Sequence, residues 1–263
     1  MSNTAGKVGR FASIAPLYED LRPPYPPSFF RDVAQKLGLS KQHSLIDLGT
    51  GPGLIALGFA PYVGRIVGVD PEPAMLAAAR RAAERASCAF TLIEGKAEEL
   101  PADIGRFDIV TIGRALHWMD RDATPALFER LVARDGPIVV CSSGSAKDGR
   151  NPWLDDYNEA RRAWSDDGLW SEAGKGERAH RELAAFLGHT GFHVTDVINV
   201  ETCREISVSN LARRVLTFSS SSPHVLGDNA DAMLRDVEAR LAPYGRAGLL
   251  TETVVSIAQV ARR

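Results

Sequence analysis

Two aspartates flanking a glycine-rich stretch are the residues of this chain whose types and spacing could do chemistry. Asp47 stands just before a Gly-x-Gly-x-Gly run that begins at Gly49, and Asp70 ends the next apolar segment. A carboxylate at the first position can pair with an ammonium group, and one at the second can accept hydrogen bonds from both hydroxyls of a ribose. Glycine lets the backbone turn sharply and approach a ligand closely. The pattern therefore predicts a site for an adenosine-containing cofactor.

The segments around these residues indicate a strand, a turn, a helix and a second strand. Leu45, Ile46 and Leu48 form a short apolar run that is typical of a buried strand, and LIALGFA after the glycines favours a helix. The spacing differs from the Gly-x-Gly-x-x-Gly of dinucleotide binders, and Asp47 would repel a diphosphate. A nicotinamide-dependent oxidoreductase is therefore the less favoured alternative.

The stretch from Ser44 to Asp70 resembles the first motif of the class I S-adenosylmethionine-dependent methyltransferases, an acid followed by Gly-x-Gly-x-Gly. The resemblance implies S-adenosyl-L-methionine as the cofactor. It also implies that the turn EGKAEELP packs on the adenine ring, with the Ala97 N–H as partner of a ring nitrogen; a solvated helix start is the alternative there. The implied cofactor residues are Asp47, Gly49, Thr50, Gly51, Gly53, Asp70, Pro71, Met75, Lys96, Ala97, Glu98, Gly113 and Arg114.

Strand-like and helix-like patterns alternate from residue 44 to about residue 142, which predicts a parallel sheet. One of the predicted helices runs through ATPALFERLVARDG and closes at Gly136. With the resemblance, we expect a doubly wound, Rossmann-like α/β fold of seven strands, the last antiparallel, with a helical cap after strand five. The expected regions are an N-terminal lid and helix (1–43), a cofactor-binding core (44–142), the cap (143–190) and C-terminal strands and helices (191–263).

The segment GRALHWMD after the fourth strand resembles the type 11 branch of these methyltransferases, particularly its aconitate methyltransferase-like members. In that branch a His-Trp pair follows the fourth strand. His117 would then act as a base or orient an acceptor. The alternative is a structural pair in which Trp118 closes the start of a helix.

The N-terminal segment matches a recurring prelude of the same branch through Phe11, Tyr18 and the element Arg-Pro-x-Tyr-Pro at residues 22–26. Such a prelude folds over the cofactor as a lid. The clustered prolines disfavour a helix and leave Tyr18, the second catalytic candidate, and Arg22 able to project toward a ligand. The alternative is a proline-stiffened connector.

The acceptor is expected to contact the region after the fifth strand. Trp153, Trp164 and Trp170 are clustered in the sequence there and indicate an aromatic wall, or simply the core of a small cap. Thr217 and Ser219 match a Thr-x-Ser element of the aconitate-type relatives, beside arginines that could hold a carboxylate. The candidate substrate-binding residues are Arg22, Tyr25, Trp118, Trp153, Arg213 and Thr217.

Composition limits the partners of the chain. Its 263 residues, with 44% hydrophobic content, can bury a full core, and the net charge of −2 predicts no nucleic-acid or membrane partner. Three scattered cysteines without a C-x-x-C motif, and the absence of a signal peptide or long apolar run, predict a cytoplasmic protein. Gly191 between His189 and His193 argues against a metal pair. A monomer or homodimer is expected.

These features together predict methyl transfer to a small metabolite, at a carboxylate or hydroxyl oxygen. The alternative of another class is a protein that binds S-adenosylmethionine for non-methylating chemistry or regulation. Detecting release of S-adenosylhomocysteine separates the two.

Overall fold

The chain is described by a computed structural model over residue 17, residues 20–164 and residues 183–263. Phe11, Tyr18 and Trp170 lie outside the described residues. None of the described helices is both long enough and apolar enough to cross a membrane.

Seven strands form one sheet in the order β3-β2-β1-β4-β5-β7-β6. Strands β1 to β5 are parallel neighbours, and the last strand runs antiparallel, which confirms the predicted fold class. The strands are β1 (Ser44–Leu48), β2 (Arg65–Asp70), β3 (Thr91–Glu94), β4 (Ile109–Gly113), β5 (Ile138–Ser145), β6 (His193–Ser207) and β7 (Leu249–Arg262).

The α-helices of the described residues alternate with the strands from β1 to β5 as predicted, except between β3 and β4, which are joined by 3-10 helices. The α-helices are α1 (Pro27–Leu37), α2 (Leu54–Phe59), α3 (Pro73–Arg85), α4 (Thr124–Leu131), α5 (Leu154–Trp164), α6 (Ala184–Leu187), α7 (Val208–Arg213), α8 (Pro223–Leu226) and α9 (Ala230–Leu241). The expectation that α4 closes at Gly136 is wrong. Val132 is extended and bridges Phe107 in parallel, which ends the helix at Leu131.

The chain divides into two compact units. Of the described residues, the core unit comprises 25–142, 183–200 and 256–263, and the auxiliary unit comprises 17, 20–24, 143–164 and 201–255. The segment predicted as a helical cap, residues 143–190, contributes α5 to the auxiliary unit and α6 to the core unit.

In the core unit, β1 directs side chains alternately to two hydrophobic clusters. Leu45 packs with Phe29 and Phe59, whereas Ile46 packs with Phe128. Successive side chains of a strand point to opposite faces, so both faces of the sheet are covered. This burial fixes the carboxyl ends of β1, β2 and β4, where the candidate site lies.

The auxiliary unit has its own apolar cluster. Trp153, Tyr157 and Ala160 of the α5 region pack with residues of α7 and α9, including Leu211 and Met233. The indole N–H of Trp153 donates to the Thr251 carbonyl at 3.0 Å, which satisfies its polar atom within the core. Trp153 is therefore built into the packing of this unit.

Candidate cofactor site

Asp47 lies near the end of β1 and is 1% exposed. Strand register places it beside Thr111 of β4, whose hydroxyl donates to Oδ1 at 2.8 Å, and the Thr50 hydroxyl donates to Oδ2 at 2.7 Å. Burial raises the pKa of Asp47 from 3.8 to about 7, and the nearby Asp70 adds to the rise, while the two hydroxyls act against it. Two neutral donors thus orient a carboxyl group whose charge they only partly stabilise.

Gly68 makes room for this arrangement. It is the register partner of Asp47 on β2, and a Cβ atom there would come within 3.0 Å of the Thr50 side chain. A larger residue at position 68 would therefore press on the threonine that holds Asp47. Conventional motif reading does not single out Gly68, because its role depends on strand register.

The three glycines of the motif all have positive φ, at +67°, +54° and +85° for Gly49, Gly51 and Gly53. This conformation disfavours other residues. A Cβ at Gly49 would collide with the Cβ of Ala115, whereas a Cβ at Gly51 would meet nothing within 4 Å. Both packing and backbone conformation therefore require glycine at position 49. At position 51 only the conformation does, and the space beside the Gly51 backbone is open.

Asp70 ends β2 and binds the glycine turn directly. Its Oδ2 accepts the Gly51 N–H at 2.8 Å and its Oδ1 accepts the Glu72 N–H at 2.9 Å. Burial raises the pKa of Asp70, while these two backbone hydrogen bonds lower it. One carboxylate thus holds the turns after β1 and β2 together, and the structure brings Asp47, Thr50 and Asp70 into one site.

The remaining predicted residues of this edge lie on the segments that follow β2 and β3. Pro71 is exposed and Met75 is buried at the start of α3, beside the turn after β2. Ala97 is buried in a short 3-10 helix, and Lys96 pairs with Glu99 at the surface at 3.4 Å. Glu98 accepts the Asp120 N–H at 2.7 Å, which connects the turn after β3 to the turn after β4.

The carboxyl end of β4 is tightly constrained. A Cβ at Gly113 would lie 2.5 Å from Cγ1 of Ile55, so a side chain there has no space. Arg114 has a φ of +57°, and its N–H donates to the Cys141 carbonyl at 3.1 Å. Its guanidinium carbon lies 4.8 Å from the ring centre of Tyr25. A non-glycine residue held in the left-handed region costs conformational energy, so the surrounding structure imposes this geometry.

His117 and Trp118 follow on a short 3-10 helix, Leu116–Trp118. Their ring centres are 4.9 Å apart, His117 is partly buried, and Trp118 is 40% exposed. The catalytic and structural alternatives for His117 both remain predictions.

The predicted acceptor residues of the auxiliary unit occupy different environments. Arg22 donates to the Thr217 carbonyl at 2.7 Å. Thr217 is fully buried, and its hydroxyl donates to the Arg214 carbonyl, while Arg213 is exposed. The structure thus brings Arg22 and Thr217 together through the Thr217 carbonyl.

Sequence reasoning missed the buried charge cluster of this unit. Glu252 of β7 is fully buried and accepts two hydrogen bonds from Arg214, at 2.7 and 2.8 Å, with further bonds from Ser145 and Arg204. Burial acts to raise the pKa of Glu252, but these partners lower it from 4.5 to about 2. Arg214 also donates to the Leu21 carbonyl at 2.7 Å. No local pattern marks this pairing, since its members are far apart in sequence.

Residues 45–134, which contain the acid pair and the glycine turn, match a family model described as a methyltransferase domain. This part of the chain is therefore similar to a methyltransferase domain. The Mycobacterium tuberculosis protein named uncharacterized methyltransferase Rv3342 is 33% identical over 149 residues, 57% of each chain. The chain aligns with 36–57% of the length of the curated relatives that it matches.

Solved structures share the fold of this chain over almost all its length. A SAM-dependent methyltransferase from Geobacter sulfurreducens in complex with S-adenosyl-L-homocysteine is 18% identical, with a TM-score of 0.56 over 97% of this chain and 98% of that one. The 4+2 cyclase SpnF is 16% identical, with a TM-score of 0.53 over 96% and 94% of the two chains. These likenesses establish the fold.

Proposed function

We propose that this protein binds S-adenosyl-L-methionine at the ends of β1 and β2 and methylates a carboxylate or hydroxyl oxygen of a small metabolite. The observation that carries the proposal is the pair of buried acids, Asp47 and Asp70, fixed around a glycine turn whose backbone is open at Gly51. The methyltransferase domain match over residues 45–134 supports it.

The chemistry of the site fits this cofactor. Burial raises the pKa of both acids, so a bound positive charge would stabilise their ionised forms. S-adenosylmethionine carries a sulfonium and an ammonium group, whereas a diphosphate would add negative charge beside two acids. The absence of a Cβ at Gly51 leaves the turn accessible to a ligand. Cofactors with a pyrophosphate are therefore disfavoured.

Each residue has a definite role in this proposal. Asp47 would hold the ammonium group, Asp70 the ribose hydroxyls and the Ala97 N–H the adenine ring. When bound, S-adenosylmethionine supplies an activated methyl group. The protein's own contribution is to hold the acceptor oxygen in line with that group and to exclude water. A carboxylate acceptor needs no base, whereas a neutral hydroxyl would need His117 or Tyr18 to take its proton.

A second candidate function is S-adenosylmethionine-dependent chemistry or regulation without methyl transfer. It is favoured by the structural likeness to a protein named as a 4+2 cyclase, which shows that this fold is not confined to proteins named as methyltransferases. Under this alternative the protein binds the cofactor but releases no S-adenosylhomocysteine with any acceptor.

Calorimetry and a turnover assay test the proposal in two steps. The parent protein should bind S-adenosylmethionine and S-adenosylhomocysteine and show no binding to NAD. It should then release S-adenosylhomocysteine with at least one member of a panel of small acids, phenols and alcohols that includes trans-aconitate. NAD binding would overturn the cofactor assignment, and activity on RNA, DNA or intact protein alone would overturn the acceptor class.

The role of His117 is tested with the same panel. His117→Ala should change turnover only a few-fold if the acceptor is a carboxylate. A loss of about 10²–10⁴-fold is expected if the acceptor is a neutral hydroxyl, because a general base then contributes to the rate. Light scattering on the same sample tests the expected monomer or homodimer.

A further inference from the structure

Hydroxyl groups hold both oxygens of the buried Asp47 carboxyl group. The Thr111 hydroxyl oxygen lies 2.8 Å from Oδ1, and the Thr50 hydroxyl oxygen lies 2.7 Å from Oδ2. Thr111 is fully buried, and Thr50 is 5% exposed. Within residues 20–164 and 183–263, no arginine or lysine pairs with this carboxyl group. The acid is therefore buried without a countercharge from the described part of the chain.

The position of Thr111 suits both protonation states of this acid. Its hydroxyl oxygen lies 2.8 Å from Oδ1 of Asp47 and also 3.5 Å from the Ile46 carbonyl oxygen. A hydroxyl group has one donor hydrogen and two acceptor lone pairs. When Asp47 is ionised, the Thr111 hydroxyl donates to the carboxylate. When Asp47 is protonated, its O–H can donate to the Thr111 oxygen while the Thr111 hydroxyl donates to the Ile46 carbonyl.

The groups that face Asp47 come from the neighbouring elements of the core unit. Burial raises the pKa of Asp47 to about 7, Asp70 at the end of β2 adds to the rise, and a backbone hydrogen bond from Ala56 of α2 opposes it. Burial also raises the pKa of the Cys141 thiol on β5, with the Asp47 charge adding to the rise and the Arg114 charge opposing it. Two backbone N–H groups lower the pKa of Asp70 against its burial. Asp47 is therefore the acid here that a bound cation would deprotonate near neutral pH.

We propose that Thr111 is a positioning residue for the cofactor's ammonium group, and that binding of this group expels a proton from Asp47. This inference rests on the proposed function and deepens it. The O–H bond of the Asp47 carboxyl group breaks, its electron pair stays on the carboxylate, and the proton passes to the solvent. The ammonium charge then takes the place of the proton, and Thr111 donates to the ionised group. Cofactor affinity should therefore rise with pH and level off above neutral pH.

Calorimetry of S-adenosylhomocysteine binding to the full chain counts this proton. Titrations at one pH, in buffers with different ionisation enthalpies, give the number of protons released per ligand. The parent should release about one proton at pH 6 and almost none at pH 8.5, and its affinity should be about tenfold weaker at pH 6 than at pH 8. The matched ligand is 5′-methylthioadenosine, which has the same adenosine group without the ammonium group and should bind without releasing a proton.

Variants at position 111 test the positioning role. Thr111→Val should raise the midpoint of the affinity–pH profile by about 1–2 pH units, because the ionised form of Asp47 loses a donor. Thr111→Ser keeps the hydroxyl group and should retain the parent midpoint. A merely structural threonine would instead change the affinity equally at every pH. Thr111→Cys, whose thiol is a weak donor, should raise the midpoint as well and supplies the test if Thr111→Val does not fold.

The control is Thr124→Val in the same unit. Thr124 is also fully buried, and its hydroxyl donates to the Asp120 carbonyl at the start of α4. This variant should leave both the proton count and the midpoint unchanged. Asp47→Asn has no proton to lose at this position, so any S-adenosylhomocysteine that it binds should release none at pH 6.

Several outcomes would overturn this inference. One is binding of S-adenosylhomocysteine to the parent without proton release at pH 6. Another is proton release that persists in Asp47→Asn or occurs equally with 5′-methylthioadenosine, which would assign the proton to a different group, such as Asp70 beside the ribose. A midpoint that stays at the parent value in Thr111→Val or Thr111→Cys would remove the role of Thr111. Failure of the parent to bind S-adenosylhomocysteine is a different result, which contradicts the proposed function itself.

Discussion

The two units each bury an acidic residue, but they shift its pKa in opposite directions. Asp47 in the core unit is held by threonine hydroxyls, and its pKa is raised to about 7, whereas Glu252 in the auxiliary unit is held by arginines, and its pKa is lowered to about 2. An acid that the protein neutralises with its own cations has a structural task. An acid oriented by neutral donors alone keeps its capacity to bind a positive charge. The difference separates a candidate binding site from a structural ion cluster.

The largest expected effect is on the structural side of this comparison. Glu252→Gln should lower the free energy of unfolding by about 3–5 kcal/mol, because it leaves Arg214 buried without its countercharge. Urea denaturation measures the loss. The exposed Glu205→Gln in the same unit is the control and should change stability by less than about 0.5 kcal/mol. A loss for Glu252→Gln as small as that of the control would remove the contrast between the two acids.

On the binding side, Asp70→Ala should cost about 1.5–3 kcal/mol of S-adenosylhomocysteine binding, the range for hydrogen bonds to a charged group. Part of this loss would come from the Gly51 turn, which Asp70 holds. Calorimetry measures the affinity, with the exposed Asp103→Ala as the control. Unchanged affinity in Asp70→Ala would show that the acid pair does not bind the cofactor.

The pH dependence of stability should have opposite signs for the two acids. The pKa of Asp47 is raised from 3.8 to about 7. Its contribution to the free energy of unfolding is therefore fully present below pH 3.8 and is lost as the pH rises through about 7. For Glu252 the pKa is lowered from 4.5, so its contribution is present above pH 4.5 and is lost as the pH falls through about 2.

Asp47→Asn tests this sign in buffer without added ligand. As the pH rises from 4 to 8, the stability of the variant relative to the parent should increase by about 1–3 kcal/mol, because the parent must ionise a buried carboxyl group and the amide carries no charge. Thermal melts at several pH values measure the difference. S-adenosylhomocysteine should reduce the gain, because it stabilises the parent's ionised Asp47. A pH-independent difference would contradict the raised pKa.

A smaller expected effect distinguishes conformation from packing in the glycine turn. Gly51→Ala should cost about 1–2 kcal/mol of stability through its positive φ alone. Gly49→Ala should cost more, because its Cβ would also collide with Ala115. Melting temperatures of the two variants test the order. A reversed order would mean that the turn repacks around position 49.

The sequence was sufficient to predict the sheet and the acid pair because their signals are local. The apolar run before Asp47 and the segment that ends at Asp70 define two strands, and parallel strands bring their carboxyl ends to one edge. The contacts that follow from register, such as Thr111 with Asp47, were not predictable without the order of the strands.

The auxiliary unit was less predictable because its key contacts join distant segments. A single step along the chain separates exposed Arg213 from buried Arg214, at the point where α7 gives way to a 3-10 turn. Sequence periodicity does not locate that change. A tryptophan such as Trp153 can line a pocket or fill a core, and the sequence does not distinguish the two. Its partner Thr251, which shows that it is packed in the core, is far along the chain.

The left-handed backbone of Arg114 favours glycine at a position where the chain has a large side chain. At most positions alanine is better tolerated than glycine, but here a φ of +57° should reverse that order, with Arg114→Gly about 1 kcal/mol more stable than Arg114→Ala. Both substitutions remove the same side chain, so their difference isolates the backbone. An arginine at a position where glycine would relieve strain means that its side-chain contacts, such as that with the Tyr25 ring, are made at a conformational cost.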